Sequence, residues 1–342
     1  MEDTIILEKT KHISTEKSAL RTFCEAQTKP GEPGFTVAAY AFFAQDAAIN
    51  MVHPFNELDG AAGYVDGFLV PLHRSFSHLR RSAYLAFGGI FEGSTWVTST
   101  GYYTGQFEAP FLGIKPTGTL AHLRYGEFHR MEGGRAIESY IYLDLPELMI
   151  AAGQWPIADS PGLHRGFTGF LPGPTTQDGL QWAANDADRS AGSLDIVKTM
   201  LLKLATPDEA WRPYWRDDML WYGPAAFGSF VGIEEFAGFQ VPFEQTFSEW
   251  IGGLVPGSLT KQFTRFADGD YICSGGWPAL NAVQIKPFLG QPPEGKRLFM
   301  RVCDWWRREG DLLVENWVFV DIPHVLLQMD YDLLAEIEKG GT

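Results

Sequence analysis

The sequence predicts an α+β fold made of two tandem domains, each with helices first and an antiparallel sheet after them. Three observations support this fold class. A stretch of 20 residues recurs at a constant offset, and in each copy helical spacing of apolar residues gives way to strand-like alternation. The length of 342 residues also exceeds what one hydrophobic core usually holds. Helices followed by consecutive strands are typical of a sheet covered by helices on one face.

The repeat is clearest between Glu127–Pro146 and Asp304–Pro323, which lie 177 positions apart. The first reads E-F-H-R-M-E-G-G-R-A-I-E-S-Y-I-Y-L-D-L-P and the second D-W-W-R-R-E-G-D-L-L-V-E-N-W-V-F-V-D-I-P. A wider comparison of Phe111–Pro146 with Phe288–Pro323 gives 12 identities in 36 positions without a gap. Chance would give roughly 2 at ordinary composition. The chain is therefore a tandem duplication.

The duplication suggests domain boundaries. We expect a first domain over residues 15–157 and a second over 193–335, joined by a Gly/Pro-rich linker over 158–192. Residues 1–14 should form a loose polar arm. A linker of this length exceeds a plain connection, so we expect it to pack across the mouth of a domain.

In the first copy, three helices should precede four strands. The helices are expected from Ser14 or Thr15 onwards, over Val37–Asp46, and from Gly60 to Leu79 with a kink at Pro71. The strands are expected within 83–91, 95–107, 120–131 and 137–145, separated by turn signals. The second copy should repeat this order from about Ser193.

Composition and charge exclude several classes of function. A formal net charge of −15 argues against a nucleic-acid partner. No apolar run approaches the length of a membrane span, and no basic segment followed by an apolar one opens the chain, so we expect a cytoplasmic protein without membrane contact. Three scattered cysteines and the absence of paired ligand spacings predict neither a disulfide framework nor a metal site. We therefore expect no metal.

One carboxylate in each copy falls on an otherwise apolar strand face. Because strand side chains alternate, one face can be assigned by parity. In the first copy this face carries Leu123, Tyr125, Glu127, His129 and Met131, and in the second Leu298, Met300, Val302, Asp304 and Trp306. Such surroundings raise the pKa of a carboxyl group, which poises it as an acid or base near neutral pH. The alternative is a buried structural acid, or one in water at the sheet rim.

Two-residue hairpin loops at Gly133-Gly134 and Gly310-Asp311 predict a register for each hairpin. In the first copy it sets Glu127 opposite Tyr140 and His129 opposite Glu138. His129 would then share a face with Glu127 and Glu138, and the three would form a proton-relay cluster.

In the second copy the same register sets Asp304 opposite Trp317 and Trp306 opposite Glu315. Trp306 cannot relay protons, so the two copies should differ chemically.

Three motifs of the first copy resemble one family. They are T-G-Y-Y-T-G-Q-F, F-L-G-I-K-P-T-G and H-R-M-E-G-G-R-A-I-E-S-Y-I-Y-L-D. Together they are similar to the SnoaL-like polyketide cyclases of the nuclear-transport-factor-2-like superfamily, which show a G-T-H-T-G turn, an f-x-G-I-x-P-T-G loop and an acid-x-F-R-x-x-D-G-K-I-x-E-x-W hairpin. Tyr103 stands where that turn has its histidine, and the second copy reads S-G-G-W-P-A-L-N-A instead.

The resemblance implies cone-shaped domains, each a curved antiparallel sheet packed on three N-terminal helices, with a pocket at the wide end. It implies that Glu127 and Asp304 act as acid/base groups without a metal or cofactor, as in an intramolecular aldol ring closure. Relatives of this fold also open epoxides, isomerise ketosteroids, dehydrate, or only bind ligands, so the fold alone does not fix the reaction.

Further candidates come from single residues. His53 lies in a helix-to-loop region that in this fold approaches the pocket mouth, and a surface or capping histidine is the alternative. Tyr103 could donate a hydrogen bond to a substrate, and Trp277 could line a pocket, with core packing as the alternative for both. The remaining candidates for substrate contact are Tyr125, Tyr140, Trp306 and Trp317.

The main hypothesis is a cofactor-independent enzyme of the polyketide cyclase or isomerase type, acting on a hydrophobic small molecule. Glu127, with His129 nearby, is the first candidate for the catalytic group and Asp304 the second. The alternatives are an epoxide or lactone hydrolase of the same fold and a non-catalytic binding or scaffold protein. Sheet faces of this kind are commonly covered by another domain, so we expect a pseudo-dimer within the chain or a homodimer.

Overall fold

The computed structural model describes residues 2–158, 171–184, 186–204, 208–252 and 260–339. The chain divides into two compact units. The first comprises Met1–Gln154 and Pro172–Asp186, and the second comprises Trp155–Leu171 and Ala187–Thr342. Each unit joins helices to its own sheet, which confirms the tandem α+β prediction. The central part of the expected linker, 159–170, lies outside the described residues.

Helices form the first part of the first unit. They are α1 (Glu2–Ala26), α2 (Glu32–Phe42), α3 (Gly60–Tyr64), a π-helical turn (Val65–Leu69) and α4 (Val70–Ser75). The π-helical turn ends two residues before Pro71. The nitrogen of Pro71 carries no hydrogen, so it cannot donate the regular α-helical hydrogen bond to the carbonyl one turn earlier, and the helix is irregular there. The expected loose arm over 1–14 is wrong, since α1 already begins at Glu2.

The sheet of the first unit has six strands. They are β1 (Phe43–Met51), β2 (Glu57–Asp59), β3 (Phe76–Phe91), β4 (Ser94–Phe107), β5 (Leu120–Glu132) and β6 (Arg135–Leu143), in the order β2-β1-β6-β5-β4-β3. All neighbouring pairs are antiparallel except β1 and β6. The second and third helices end before Asp46 and Leu79, because those residues lie in strands β1 and β3, whose sheet pairing overrides the helical spacing.

The second unit repeats this plan with a reduced helical part. Its helices are α6 (Ala187–Leu201), a 3-10 turn (Arg212–Tyr214) in the place of α2, and α7 (Ile233–Thr246). Its strands are β7 (Trp215–Tyr222), β8 (Ser229–Val231), β9 (Phe247–Gly252), β10 (Gln262–Asp268), β11 (Tyr271–Gln284), β12 (Arg297–Glu309) and β13 (Leu312–Val320). The sheet order is β10-β11-β12-β13-β7-β8, and β9 pairs with β11.

The β5–β6 hairpin has the expected loop but not the expected register. Glu132 pairs with Arg135, and a β-bulge after Arg130 then shifts the pairing by one residue. Glu127 therefore lies opposite Ile141 rather than Tyr140, and His129 lies opposite Ser139 rather than Glu138.

The β12–β13 hairpin has the same bulge, here between Arg307 and Arg308. Asp304 lies opposite Val318 rather than Trp317, and Trp306 lies opposite Asn316 rather than Glu315. Because strand faces alternate, a shift of one residue changes which side chains share a face with each acid.

A short capped helix follows each hairpin. These helices are α5 (Leu145–Ala151) and α8 (Ile322–Gln328), and α9 (Leu333–Lys339) follows α8. Asp144 and Asp321 are the N-caps, and each accepts a hydrogen bond from a backbone N–H of the first helical turn. Each also pairs with an arginine of the first strand of its hairpin, Arg124 of β5 at 3.1 Å and Arg301 of β12 at 3.0 Å. These two aspartates are therefore structural.

Part of the expected linker extends the first sheet. Leu180 forms a parallel bridge with Ala86 of β3, and the Ala86 N–H donates to the Gly179 carbonyl at 2.9 Å. Lys17 of α1 donates from Nζ to the Ala183 carbonyl at 2.7 Å. Residues 179–181 thus lie along the edge strand β3.

Aromatic side chains form much of each core. Phe23 stacks on Phe42 at 4.4 Å between ring centres in the first unit, and Phe230 stacks on Phe239 at 5.2 Å in the second. No helix in the part of the chain that the structure describes is long and apolar enough to cross a membrane.

Gly101 provides a test of the strand packing in the first sheet. A Cβ at this position would clash with the Ser82 carbonyl and lie 2.7 Å from the Ala83 Cα. We expect Gly101→Ala to lower the free energy of unfolding by roughly 1–3 kcal/mol, because β3 and β4 must move apart. Urea unfolding measures this change.

The control is Gly34→Ala in α2, where the nearest atom to a new Cβ lies at 3.5 Å. It should leave stability unchanged or raise it slightly, since alanine favours the helix. Equal stability of the two variants would contradict the packing described.

Candidate active site

In the first unit, Glu127 is held in a buried ion pair. Its side chain is only 1% exposed, and Oε1 pairs with Nη2 of Arg81 on β3. The same oxygen accepts a hydrogen bond from Ser99 Oγ on β4 at 2.6 Å. His129 Nε2 lies 3.4 Å from it, and His129 Nδ1 lies 2.8 Å from Ser139 Oγ. The carboxylate is therefore neutralised and hydrogen-bonded inside the core.

Aromatic rings enclose the Arg81 guanidinium. Its central carbon lies 4.2 Å from the ring centre of Tyr125, 4.6 Å from that of Phe23 and 5.8 Å from that of Tyr103. The Tyr103 hydroxyl lies 3.4 Å from that of Tyr64. Tyr103 and Tyr125, both expected to contact substrate, pack instead against the arginine that neutralises Glu127.

The expectation of a raised pKa is wrong for Glu127. Burial alone would raise the pKa of this carboxyl group, but Arg81, His129 and Ser99 lower it to about 2. The sequence-based assignment missed Arg81 because the segment up to Leu79 has helical spacing of apolar residues, whereas β3 begins at Phe76.

Other candidates of the first unit do not join this cluster. The Tyr140 hydroxyl donates to Glu138 at 2.6 Å, and Glu138 pairs with Arg130 at 2.7 Å, on the opposite face of the sheet. The proposed relay of His129, Glu127 and Glu138 therefore does not form. His53 is half-buried in the turn after β1 and is not among the contacts of Glu127.

The second unit contains a cavity of about 430 Å³ between its sheet and α7. This volume lies within the range usual for small-molecule sites. The described residues on the helix side are largely aromatic, with Phe236, Phe239 and Phe243 from α7. The sheet side includes Asp304 and Trp306 of β12. The carboxylate of this unit is thus open to a cavity.

A polar row crosses the sheet side of this cavity. Arg265 on β10 pairs with Ser274 on β11, and Ser274 pairs with Asp304 on β12. Directly paired residues lie on the same sheet face, and all three line the cavity. Asn316 on β13 lies opposite Trp306 and completes the polar group.

Asp304 has no ion-pair partner among the described residues, and its pKa is strongly raised. Burial raises the pKa to about 7, against the opposing effects of the Asn316 amide and the Arg265 charge. Burial also lowers the pKa of Arg265 to about 10, so this guanidinium stays charged at neutral pH. The expectation of a raised carboxyl pKa is therefore confirmed for Asp304.

One replacement accounts for much of the difference between the units. In the first sheet, paired residues across β3, β4 and β5 include Arg81, Tyr103 and Leu123. The equivalent residues across β9, β11 and β12 are Gly252, Leu280 and Met300. Gly252 lines the cavity and has no side chain to fill it or to neutralise Asp304.

The sequence contains a signal for this replacement. G-F-L-V-P-L-H-R-S-F at 67–76 matches G-F-Q-V-P-F-E-Q-T-F at 238–247, an offset of 171 rather than 177. Extending this match by five residues sets Arg81 against Gly252.

Of the tryptophans expected to contact substrate, Trp306 lines the cavity. Trp277 is not among the described lining residues, and the Arg301 guanidinium lies over its ring at 4.3 Å. Trp317 lies on the other face of the sheet and packs on Tyr222 at 5.3 Å between ring centres. The latter two are therefore packing residues.

No group of three or more His, Cys, Asp or Glu side chains within the described ranges is placed to hold a metal ion. The three cysteines, Cys24, Cys273 and Cys303, are free and buried.

Comparisons with known proteins give resemblances in fold. No family model matches the sequence, and no curated protein matches it. A solved structure of a proposed SnoaL-like polyketide cyclase from Jannaschia sp. CCS1 is 20% identical and covers 41% of this chain and 91% of its own, with a TM-score of 0.34.

Two further structures are similar over comparable parts. AclR, a proposed hydroxylase from Streptomyces galilaeus, is 15% identical, covers 41% of this chain and 97% of its own, and has a TM-score of 0.33. A nuclear-transport-factor-2-like protein from Burkholderia thailandensis E264 is 15% identical, covers 40% of this chain and 96% of its own, and has a TM-score of 0.32. The resemblance concerns the fold alone.

Replacing Glu127 tests the structural role of its ion pair. We expect Glu127→Gln to lower the free energy of unfolding by about 3–5 kcal/mol, because Arg81 remains charged and buried without a partner. Urea unfolding at pH 7 measures the change. Glu25→Gln removes an exposed pair with Arg21 and should cost less than about 0.5 kcal/mol. A loss for Glu127→Gln as small as that of the control would contradict the assignment.

The raised pKa of Asp304 predicts a pH-dependent effect on stability. Its ionisation opposes folding, so stability is fully present below its ordinary pKa of 3.8 and falls as the pH rises through about 7. Asp304→Asn lacks this loss, so relative to the unmodified protein it should gain about 2–4 kcal/mol between pH 4 and pH 8.

Urea unfolding across this pH range measures the difference. Asp311→Asn, whose aspartate is 99% exposed, is the control and should show no such trend. A constant difference between Asp304→Asn and the unmodified protein would show that Asp304 titrates normally.

Proposed function

We propose that this protein is a cofactor-independent enzyme whose second unit moves a carbon-bound proton of a hydrophobic small molecule. The observation that supports this most is Asp304, an unpaired carboxylate with a pKa raised to about 7, facing a cavity. A base with a pKa near neutral pH is deprotonated in a large fraction of molecules and still accepts a proton well.

The proposed reaction is an intramolecular aldol ring closure. Asp304 takes a proton from the carbon next to a carbonyl group, and an enolate forms. The enolate carbon attacks a second carbonyl group of the same molecule, which forms the carbon–carbon bond and leaves an alkoxide. The alkoxide takes the proton back from Asp304, so the enzyme is regenerated without an oxidant or reductant. Return of the proton to a different carbon would give an isomerisation instead.

The polar inventory of the cavity favours this chemistry over epoxide hydrolysis. Its described lining contains one carboxyl group, Asp304, and no histidine or tyrosine. Opening an epoxide with water commonly uses one group to activate the water and another to protonate the leaving oxygen. A reaction in which one carboxyl group removes and returns the same proton fits this lining better.

The walls of the cavity favour a flat, apolar substrate. Trp221 and Phe239 lie with ring centres 5.2 Å apart, and Phe239 stacks on Phe243 at 5.7 Å. Such rings offer broad apolar surfaces for contact with a fused-ring molecule.

We propose a scaffold role for the first unit, since Arg81 neutralises Glu127 there. The cytoplasmic location and the pairing of the domains as a pseudo-dimer or homodimer stay predictions from the sequence.

Proton exchange tests the role of Asp304. 2-Tetralone is a flat ketone with acidic carbon-bound protons, and its exchange in deuterated water is measured by NMR. We expect Asp304→Asn to lower the enzyme-dependent exchange rate about 100-fold or more. In the unmodified protein the rate should rise with pH through about 7, as Asp304 loses its proton.

Gly252→Arg is a second variant with the same expected loss. It places an arginine where the first unit has Arg81, so it should fill the cavity and neutralise Asp304. Full activity of Asp304→Asn would contradict the proposal. An equal loss in a folded Glu127→Gln variant would also contradict it, since that would implicate the first unit.

A further inference from the structure

Arg265 is a charged side chain of the cavity wall without a hydrogen-bond or ion-pair partner among the described residues. Its Nε is buried and unsatisfied. Its guanidinium carbon lies 5.0 Å from the ring centre of Phe263. A charged group that is partly removed from water in this way is destabilised unless an anion or acceptor meets it.

Two indole N–H groups of the cavity wall are also without partners. Trp306 is 2% exposed and Trp215 is 5% exposed, and Nε1 of each has no hydrogen-bond acceptor in the described part of the protein. Both side chains line the same cavity as Arg265. Unsatisfied buried donors in a cavity usually meet acceptor atoms when a ligand or ordered water is present.

The other charged residues of the described cavity lining form no ion pair with Arg265. The described charged residues of the lining are Arg265, Asp304 and Lys198, and Lys198 is exposed. Asp304 is separated from Arg265 by the intervening strand β11 and forms no ion pair with it. In the first unit, in contrast, Arg81 forms a direct ion pair with Glu127.

We propose that Arg265 binds a negatively charged oxygen of the substrate, so the cavity selects flat aromatic compounds that carry a carboxylate or an acidic enol at one end. This inference rests on the proposed function in that it concerns the same cavity. The aromatic rings of α7 contact the apolar body of the ligand, and the acidic oxygen lies toward β10. In the proposed ring closure, Arg265 would pair with the enolate oxygen that forms when Asp304 removes the proton.

The proposal also assigns Arg265 a role different from that of Arg81. Arg81 neutralises a carboxylate of the protein, whereas Arg265 remains available for a charge that the ligand brings. A planar guanidinium suits this role because it donates two parallel hydrogen bonds to the oxygens of a carboxylate, and a charge-assisted hydrogen bond to the single oxygen of an enolate.

Binding of two matched probes tests this assignment without any turnover. 2-Naphthoate and 2-naphthamide share the same ring system, and only the first carries a negative charge. Their affinities are measured at pH 6, where most Asp304 is protonated, by quenching of tryptophan fluorescence and by calorimetry. We expect 2-naphthoate to bind at least about tenfold more tightly than 2-naphthamide, as a charge-assisted hydrogen bond would provide.

The preference should disappear in Arg265→Met and in Arg265→Gln, two variants that keep most of the side-chain volume. The preference should remain in part in Arg265→Lys. It should remain in full in the control Arg216→Met, which removes a half-exposed arginine that does not line the cavity. Circular dichroism checks that each variant is folded.

Equal affinities of the two probes for the unmodified protein would overturn the proposal, and so would failure of both to bind at about 1 mM. A preference that survives in folded Arg265 variants but is lost in Lys198→Met would also overturn the proposal, because the exposed Lys198 would then bind the anion. Asp304→Asn should keep the preference for 2-naphthoate. Loss of the preference in Asp304→Asn would refute the role of Arg265. Loss of proton exchange in this variant with the preference intact would concern the role of Asp304 alone.

Discussion

Arg81 and Glu127 form an ion pair in which both side chains are withdrawn from water, and the chemistry of each unit depends on whether this pair is present. In the first unit the arginine fills the space in front of the carboxylate and lowers its pKa. In the second unit Gly252 takes the place of the arginine, and the carboxylate faces a cavity with its pKa raised. Glu127 and Asp304 thus lie at equivalent positions of a duplicated sheet, and the pKa is lowered in the first and raised in the second.

The same comparison shows how a duplicated scaffold can divide its roles. A buried ion pair held by Ser99 and aromatic rings is strongly constrained, since removal of either partner leaves an unpaired charge. Asp304 is buried without an ion-pair partner among the described residues, so its ionisation lowers stability at neutral pH, and binding sites commonly carry such a cost. We interpret the first unit as a scaffold and the second as the reactive unit. In our proposal, Arg265 and the aromatic side of the cavity define which ligands the second unit accepts.

Features set by local sequence were predictable here. The repeat, the order of helices and strands, the hairpin loops and the inward position of Glu127 and Asp304 all follow from spacing within short segments. The pKa of Glu127 was not predictable in this way, because it depends on Arg81, which comes from another strand. Bulges after Arg130 and Arg307 also shift the pairing by one residue, and parity alone cannot detect them. The cavity depends on the side-chain volumes of several strands and of α7, so no short segment of sequence predicts it. The order of the candidates, with Glu127 before Asp304, therefore does not take the cavity into account.

The titration of Asp304 tests the central claim most directly. Carbon-13 NMR of protein labelled at the aspartate side-chain carboxyl groups follows each aspartate without interference from glutamates. The structure predicts that an aspartate signal with a pKa of about 7 is lost in Asp304→Asn. If every aspartate titrated below about pH 5, or if the signal near neutral pH persisted in Asp304→Asn, the assignment of the second unit as the reactive one would be contradicted.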